Sequence, residues 1–196
     1  MSDAVAWYAA YGSNIDEARF REYLAGCSEP TEPLGDRAFV LDLPLYFAGT
    51  GSATSRWGPG GVAFARPAPR DATPATLGRA WLLPAARLAE IGAQENRLPL
   101  TRAALDPAGG DQQPFPDRAY DSWVRCGELE GVPVFTLTSS VPRMPVNPPG
   151  PRYVAVVARG LRTRHGMTRE GVASYLADRT NLPVATLVEW QAQGEG

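Results

Sequence analysis

The chain is expected to fold as an α+β protein, because strand-like and helix-like stretches both occur along it. Three observations carry this. An apolar run at residues 7–11 breaks at Gly12 and passes directly into helix-forming sequence at 15–24. Aromatic and β-branched runs recur at 39–47, 62–65, 77–83, 120–126 and 132–137. Apolar residues return at helical spacing over 85–96 and 168–177. A length of 196 residues supports one sizeable core, so a single domain over 1–196 is expected.

The strand ending at Gly12 turns sharply into the helix that follows. Such a junction leaves backbone N–H groups without internal acceptors, able to meet an anion or a developing oxyanion. Asn14 is placed to cap the helix, with Glu17 three residues on completing a capping-box pattern, and Gly26 to end it in a left-handed conformation. An ordinary strand-turn-helix junction fits the same residues. Further on, Pro44 splits the 37–48 run into an edge strand or two short strands. Residues 57–61 form a glycine-rich turn before the 62–65 strand, and 66–74 a polar connection.

Residues 85–96 read as a helix opened by Pro84. At about 100° per residue, Glu95 falls on the Leu88 and Ile91 stripe while Glu90 points away. Burial and a place in the last helical turn both raise a carboxylate's pKa, which suits it to accept and return a proton near neutrality. The other reading has Glu95 at a helix end, in solvent or paired with Arg97. Residues 97–118 form a long loop, either a flap or an insertion. The runs 120–126 and 132–137 make a hairpin, with Tyr120, Ser122, Val124 and Cys126 on one face. A proline-rich passage spans 139–151, and 153–161 is strand or helix. A helix capped by Thr168 runs to 177, and 186–190 is a short strand.

Composition excludes several classes of function. A net charge of -2, with no basic stripe, gives nothing for nucleic acid to bind. Cys27 and Cys126 are isolated, and His165, in a surface loop, is the single histidine. A metal centre and a Ser-His-acid triad are therefore not expected. No phosphate-binding glycine loop occurs, no cofactor is called for, and no run of 18 apolar residues predicts a membrane span. With no leader-like N-terminus, a cytoplasmic location is expected. Any chemistry falls to a carboxylate and backbone donors.

Two stretches together resemble a known family. Tyr8-Ala9-Ala10-Tyr11-Gly12-Ser13-Asn14 is similar to the N-terminal signature of the gamma-glutamylcyclotransferase-like proteins, and Gln94-Glu95 resembles their catalytic-acid region. The order of Trp57-Gly58, the 77–83 strand and a proline-rich loop before Tyr153 is also similar, over residues 5–160. The resemblance implies a mixed, barrel-like β core with flanking helices and a substrate cavity at the barrel. It implies conversion of a gamma-glutamyl amide into 5-oxoproline and a free amine, with Glu95 as general acid and base. It assigns Tyr8, Tyr11, Gly12, Ser13, Asn14 and Tyr153 to the substrate.

In that reaction the substrate's own α-amine is the nucleophile, so neither a metal nor an enzymic nucleophile is needed. Arg97 and Arg102 are open as partners of a substrate carboxylate or as surface charges. Two other readings fit the residues: a metal-independent hydrolase of another acylated amine, and a small-molecule-binding domain without catalysis.

Overall fold

The computed structural model describes residues 4–66, 75–114, 119–141 and 144–193. Along the chain come β1 (Val5–Ala10), α1 (Glu17–Ala25), β2 (Gly35–Leu41), β3 (Leu45–Ala48), β4 (Val62–Ala65) and β5 (Thr76–Pro84). They are followed by α2 (Ala85–Glu95), β6 (Gln112–Pro114), β7 (Ser122–Leu129), β8 (Val132–Thr138), α3 (Pro151–His165), α4 (Arg169–Thr180) and α5 (Val184–Gln193). Short 3-10 turns occupy Ser13–Ile15 and Leu100–Arg102.

The sheet runs β2-β5-β1-β8-β7-β6, and β3 and β4 pair as a separate ribbon. β1 is central because its residues from Ala6 to Ala10 are all buried, which suits a strand covered on both faces. It pairs antiparallel with β5 and parallel with β8. The α+β class and the flanking helices match expectation, but the barrel does not form. The sheet stays open between its edges, β2 and β6. β6 is three residues long and ends in Pro114, which lacks an N–H for a further ladder. β2 leaves Arg37, Ala38 and Val40 exposed, and β3 and β4 satisfy each other instead of bridging the edges.

Pro44 does separate two strands, and they lie in different sheets. The β7–β8 hairpin turns through Glu130 (φ 55) and Gly131 (φ 74), the paired left-handed conformations of a two-residue loop. Several local expectations are corrected. Gly26 ends α1 in a right-handed conformation and lies close against the Gln94 side chain, whose Oε1 would stand 2.4 Å from an added Cβ. The ambiguous 153–161 segment is helical, because Pro151 opens α3 at a position where no amide is needed. The expected strand at 186–190 belongs to α5, which buries Leu187 and Gln191. His165 is not in a loop: it ends α3, with Nε2 2.7 Å from the Gly78 carbonyl. The loop at 97–118 holds a 3-10 turn and β6; its residues 115–118, like 67–74 of the polar connection, lie outside the described residues.

One hydrophobic cluster joins the sheet to the helices. Phe20 of α1 stacks on Trp81 of β5 at 4.6 Å and lies 5.8 Å from Tyr8 of β1. Burying such a ring contributes about 2–3 kcal/mol, and here it fixes α1 against the C-terminal end of β1. Gly160 lets α3 approach the same junction, since a Cβ there would be 2.7 Å from the Asp16 nitrogen.

Candidate active site

The turn after β1 is built by close approach. Gly12 has an ordinary negative φ of -112, so its need for glycine is spatial: a Cβ would lie 2.6 Å from the Tyr153 hydroxyl and 3.1 Å from Ala63 Cβ. Ile15 N donates to Gly12 O at 3.1 Å and Asp16 N to Ser13 O at 3.2 Å, closing the 3-10 turn. The cap of α1 is Asp16, two residues later than the expected Asn14. Its Oδ1 accepts from Arg19 N at 2.9 Å, and both its oxygens pair with Arg159 of α3 at 2.7 and 2.8 Å. Glu17 pairs with Arg21 and Arg79 instead of completing a capping box.

Relieved of capping, Asn14 turns inward. Trp81 Nε1 donates to its carbonyl at 2.9 Å and fixes the backbone. Its Nδ2 donates to Glu95 Oε1 at 2.7 Å and to the Tyr8 hydroxyl at 3.3 Å. Its Oδ1 is buried and has no hydrogen-bond partner among the described residues. A buried acceptor left unmade costs about 1–3 kcal/mol, so a ligand donor at this atom would be favoured.

Glu95 arrives as the last residue of α2, held by its neighbours. Gly92 lies flat against Trp123, where a Cβ would be 2.6 Å from the ring. Gln94 donates to Tyr23 O at 3.0 Å, and Asn96 to Tyr120 O at 2.9 Å. Burial raises the Glu95 pKa from its ordinary value. The Tyr23 hydroxyl, the Asn14 amide and the Arg19 charge favour the ionised form and offset only part of that rise. Arg97 does not pair with it: Arg97 is exposed, with φ 53, and Arg102 is exposed in the second 3-10 turn; neither lines the cavity.

Glu95 and the 11–14 turn face one small cavity of about 50 Å³. Tyr8, Tyr11, Gly12, Ser13, Asn14, Glu95 and Tyr153 all line it. Five of the chain's seven tyrosines are in the wall, so it is a hydroxyl-rich aromatic enclosure. Tyr11 donates to Leu137 O at 2.8 Å and Tyr120 to Ala63 O at 3.2 Å. The Tyr153 oxygen accepts from Ala63 N at 3.1 Å, which leaves its own proton to donate. Burial pushes Tyr153 up to about 12, moderated by Ala63 and Ser13, and also raises Tyr8 and Tyr120. These hydroxyls are neutral donors near pH 7.

The sequence reading does not assign Tyr23, Trp57 or Tyr120 to the site, yet each lines the cavity. Tyr23 carried a signal: it follows the buried Phe20 by three residues, on the inward edge of α1. Glu90 is placed elsewhere, as its stripe predicts. It is buried, which raises its pKa, but bonds from Ser28 N at 3.0 Å and Oγ at 2.6 Å, with Arg87 at 3.0 Å, bring it below the usual value. Burial raises Cys27 to about 11 and Cys126 to about 12, so neither thiol is activated. Among the described residues no group of three or more His, Cys, Asp or Glu side chains is arranged to hold a metal ion, and no helix is long and apolar enough to cross a membrane.

No family model matches the chain. Among curated proteins, it is 26% identical over 209 aligned residues to histone deacetylase 5 of Arabidopsis thaliana, covering 91% of this chain and 31% of that protein. The chain thus spans under a third of the length of that curated relative. In three dimensions it is similar to a solved gamma-glutamyl cyclotransferase, with 17% identity and a TM-score of 0.53 over 94% of this chain and 98% of that one. An uncharacterized protein from Homo sapiens matches at 17% identity and a TM-score of 0.54, over the same shares of the two chains. Likeness at this identity is likeness of fold, and it bears out the resemblance read from the Tyr-Gly-Ser-Asn stretch: the fold is gamma-glutamylcyclotransferase-like.

Proposed function

We propose that this chain converts a gamma-glutamyl amide into 5-oxoproline and a free amine, with no metal, cofactor or enzymic nucleophile. The observation that carries the reading is the meeting of Glu95, with its raised pKa, and the 11–14 turn in one cavity. The fold likeness to a gamma-glutamyl cyclotransferase supports it. The small enclosure suits a compact group folded on itself, as a glutamyl chain is when its α-nitrogen reaches its side-chain carbonyl.

The substrate α-ammonium group sits between Glu95 and Asn14 Oδ1, the acceptor without a partner. Glu95 removes one proton, and the freed amine attacks the γ-carbonyl carbon to close a five-membered ring. The carbonyl oxygen takes the negative charge and is met by the Tyr153 hydroxyl and the amides near Ser13. Glu95 then returns its proton to the departing nitrogen as the original amide C–N bond breaks and, ionised again, takes the second proton from the ring nitrogen, which passes on to the released amine as its ammonium form. Holding nucleophile and carbonyl in contact is the largest service asked of the protein, and it supplies several kcal/mol.

A hydrolytic reading, with Glu95 activating water toward another acylated amine, draws on the deacetylase name of the Arabidopsis relative. Incubation with gamma-glutamyl amides, each beside its α-N-acetyl analogue, separates the readings. Cyclisation predicts 5-oxoproline from the free-amine forms and no reaction of the blocked ones. Release of the free acid from blocked amides selects hydrolysis, and retention of every amide without turnover selects a binding domain.

A further inference from the structure

Helix α1 grips the end of α2 at two successive residues. The Tyr23 carbonyl accepts from Gln94 Nε2 at 3.0 Å, and the Tyr23 side chain lines the cavity together with Glu95. Asn14 Nδ2 reaches Glu95 through Oε1, at 2.7 Å. One hydrogen bond leaves a carboxylate free to turn about it, whereas a group that moves a proton to and from a substrate needs a fixed plane. A donor from a second element supplies that constraint, and the Tyr23 hydroxyl is placed to give it.

Arg19 stands one helical turn before Tyr23, on the same face of α1. Its Cζ lies 4.2 Å from the Tyr23 ring centroid, close enough for the guanidinium to draw on the π face and make the hydroxyl a stronger donor. Glu22 meets Arg19 NH1 at 2.6 Å, while the Arg19 Nε is buried with no hydrogen-bond partner among the described residues. The titratable groups that interact with Glu95 are Tyr8 from β1, Arg19 and Tyr23 from α1, Tyr120 from the approach to β7 and Tyr153 from α3. Burial raises all four tyrosines, so they stay protonated near neutrality, and Arg19 is the cation of the set.

We propose that Tyr23 is a positioning residue for Glu95: its hydroxyl, strengthened as a donor by Arg19 across the ring, fixes the plane of the carboxylate that Asn14 holds by one oxygen. This rests on the cyclisation reading above. It gives α1 a part in the chemistry, acting through Glu95 and not on the substrate.

The test follows 5-oxoproline release from gamma-glutamyl-alanine across pH by the wild type, Tyr23→Phe, Arg19→Met and the double variant. Loss of the hydroxyl removes a bond that favours ionised Glu95, so the acid limb of kcat/KM should move up by about one pH unit, with kcat reduced and KM nearly unchanged. Arg19→Met should move the limb the same way, and by less in the Tyr23→Phe background than alone. A limb unmoved by Tyr23→Phe, a loss confined to KM, or an Arg19 effect of equal size in both backgrounds would overturn the assignment. If the wild type releases no 5-oxoproline, the cyclisation reading falls by itself. The titration of Glu95, followed by carbon-13 NMR of carboxylate-labelled protein with Glu95→Gln to assign the resonance, then decides the role of Tyr23. A midpoint raised in Tyr23→Phe supports it, and an unchanged one rejects it.

Discussion

The Asn14 side-chain amide donates to Glu95 Oε1 at 2.7 Å, across 81 positions of sequence. This bond ties the 3-10 turn after β1 to the end of α2 and orients the carboxylate toward the cavity. Asn14→Asp would set two carboxylates at hydrogen-bond distance, where both cannot ionise freely. The acid limb of the pH–rate profile should then move upward by roughly one pH unit or more. A profile unmoved by Asn14→Asp would mean that Glu95 does not set that limb.

The raised pKa of Glu95 has a consequence for stability, separate from rate. A carboxyl group whose folded-state pKa lies above its unfolded value binds its proton more tightly in the folded chain. Its contribution is therefore present at acid pH and is lost as pH rises from the unfolded value through the folded one. Glu95→Gln keeps an acceptor for Asn14 and removes the charge, so its melting temperature should exceed wild type at pH 8. The gap should close near pH 4, as thermal melts across this range would show.

Gly12 and Tyr153 should behave as one unit. Gly12→Ala puts a Cβ 2.6 Å from the Tyr153 hydroxyl, and displacing that group costs about 1–3 kcal/mol. Tyr153→Phe removes the obstacle but leaves Ala63 N without its acceptor. In denaturant melts the double variant should be more stable than the sum of the two single losses. Additive losses would show that the contact does not constrain the turn.

Asp16 holds α1 and α3 to the turn by two separable interactions. Asp16→Asn keeps a capping oxygen and weakens the Arg159 pair, which is half exposed on the arginine side, so it should cost under about 1 kcal/mol. Asp16→Ala removes the cap as well and should cost about 1–2 kcal/mol more. Equal losses in the two variants would place the stabilisation in the ion pair alone.

The elements carrying strong periodicity were readable from the sequence. The Leu88, Ile91 and Glu95 stripe turns inward as its spacing requires, and Pro44 divides two strands. What could not be read depended on partners far along the chain. Asn14 is a good local cap, but Asp16 takes that place because Arg159 waits on α3, which frees Asn14 for Glu95. Sheet closure was likewise invisible, since it turns on how β6 ends and on β3 and β4 pairing with each other. The segment at 184–193 offers too few residues to separate strand from helix until packing on α3 and α4 decides.

The account stands or falls on Glu95 as the group that moves the proton. The direct measurement is single-turnover release of 5-oxoproline from a gamma-glutamyl amide by the wild-type and Glu95→Gln proteins at pH 8, with both confirmed folded. The account predicts release by the wild type and a rate about 10²–10⁴-fold lower for the variant. Equal rates from the two proteins would contradict it.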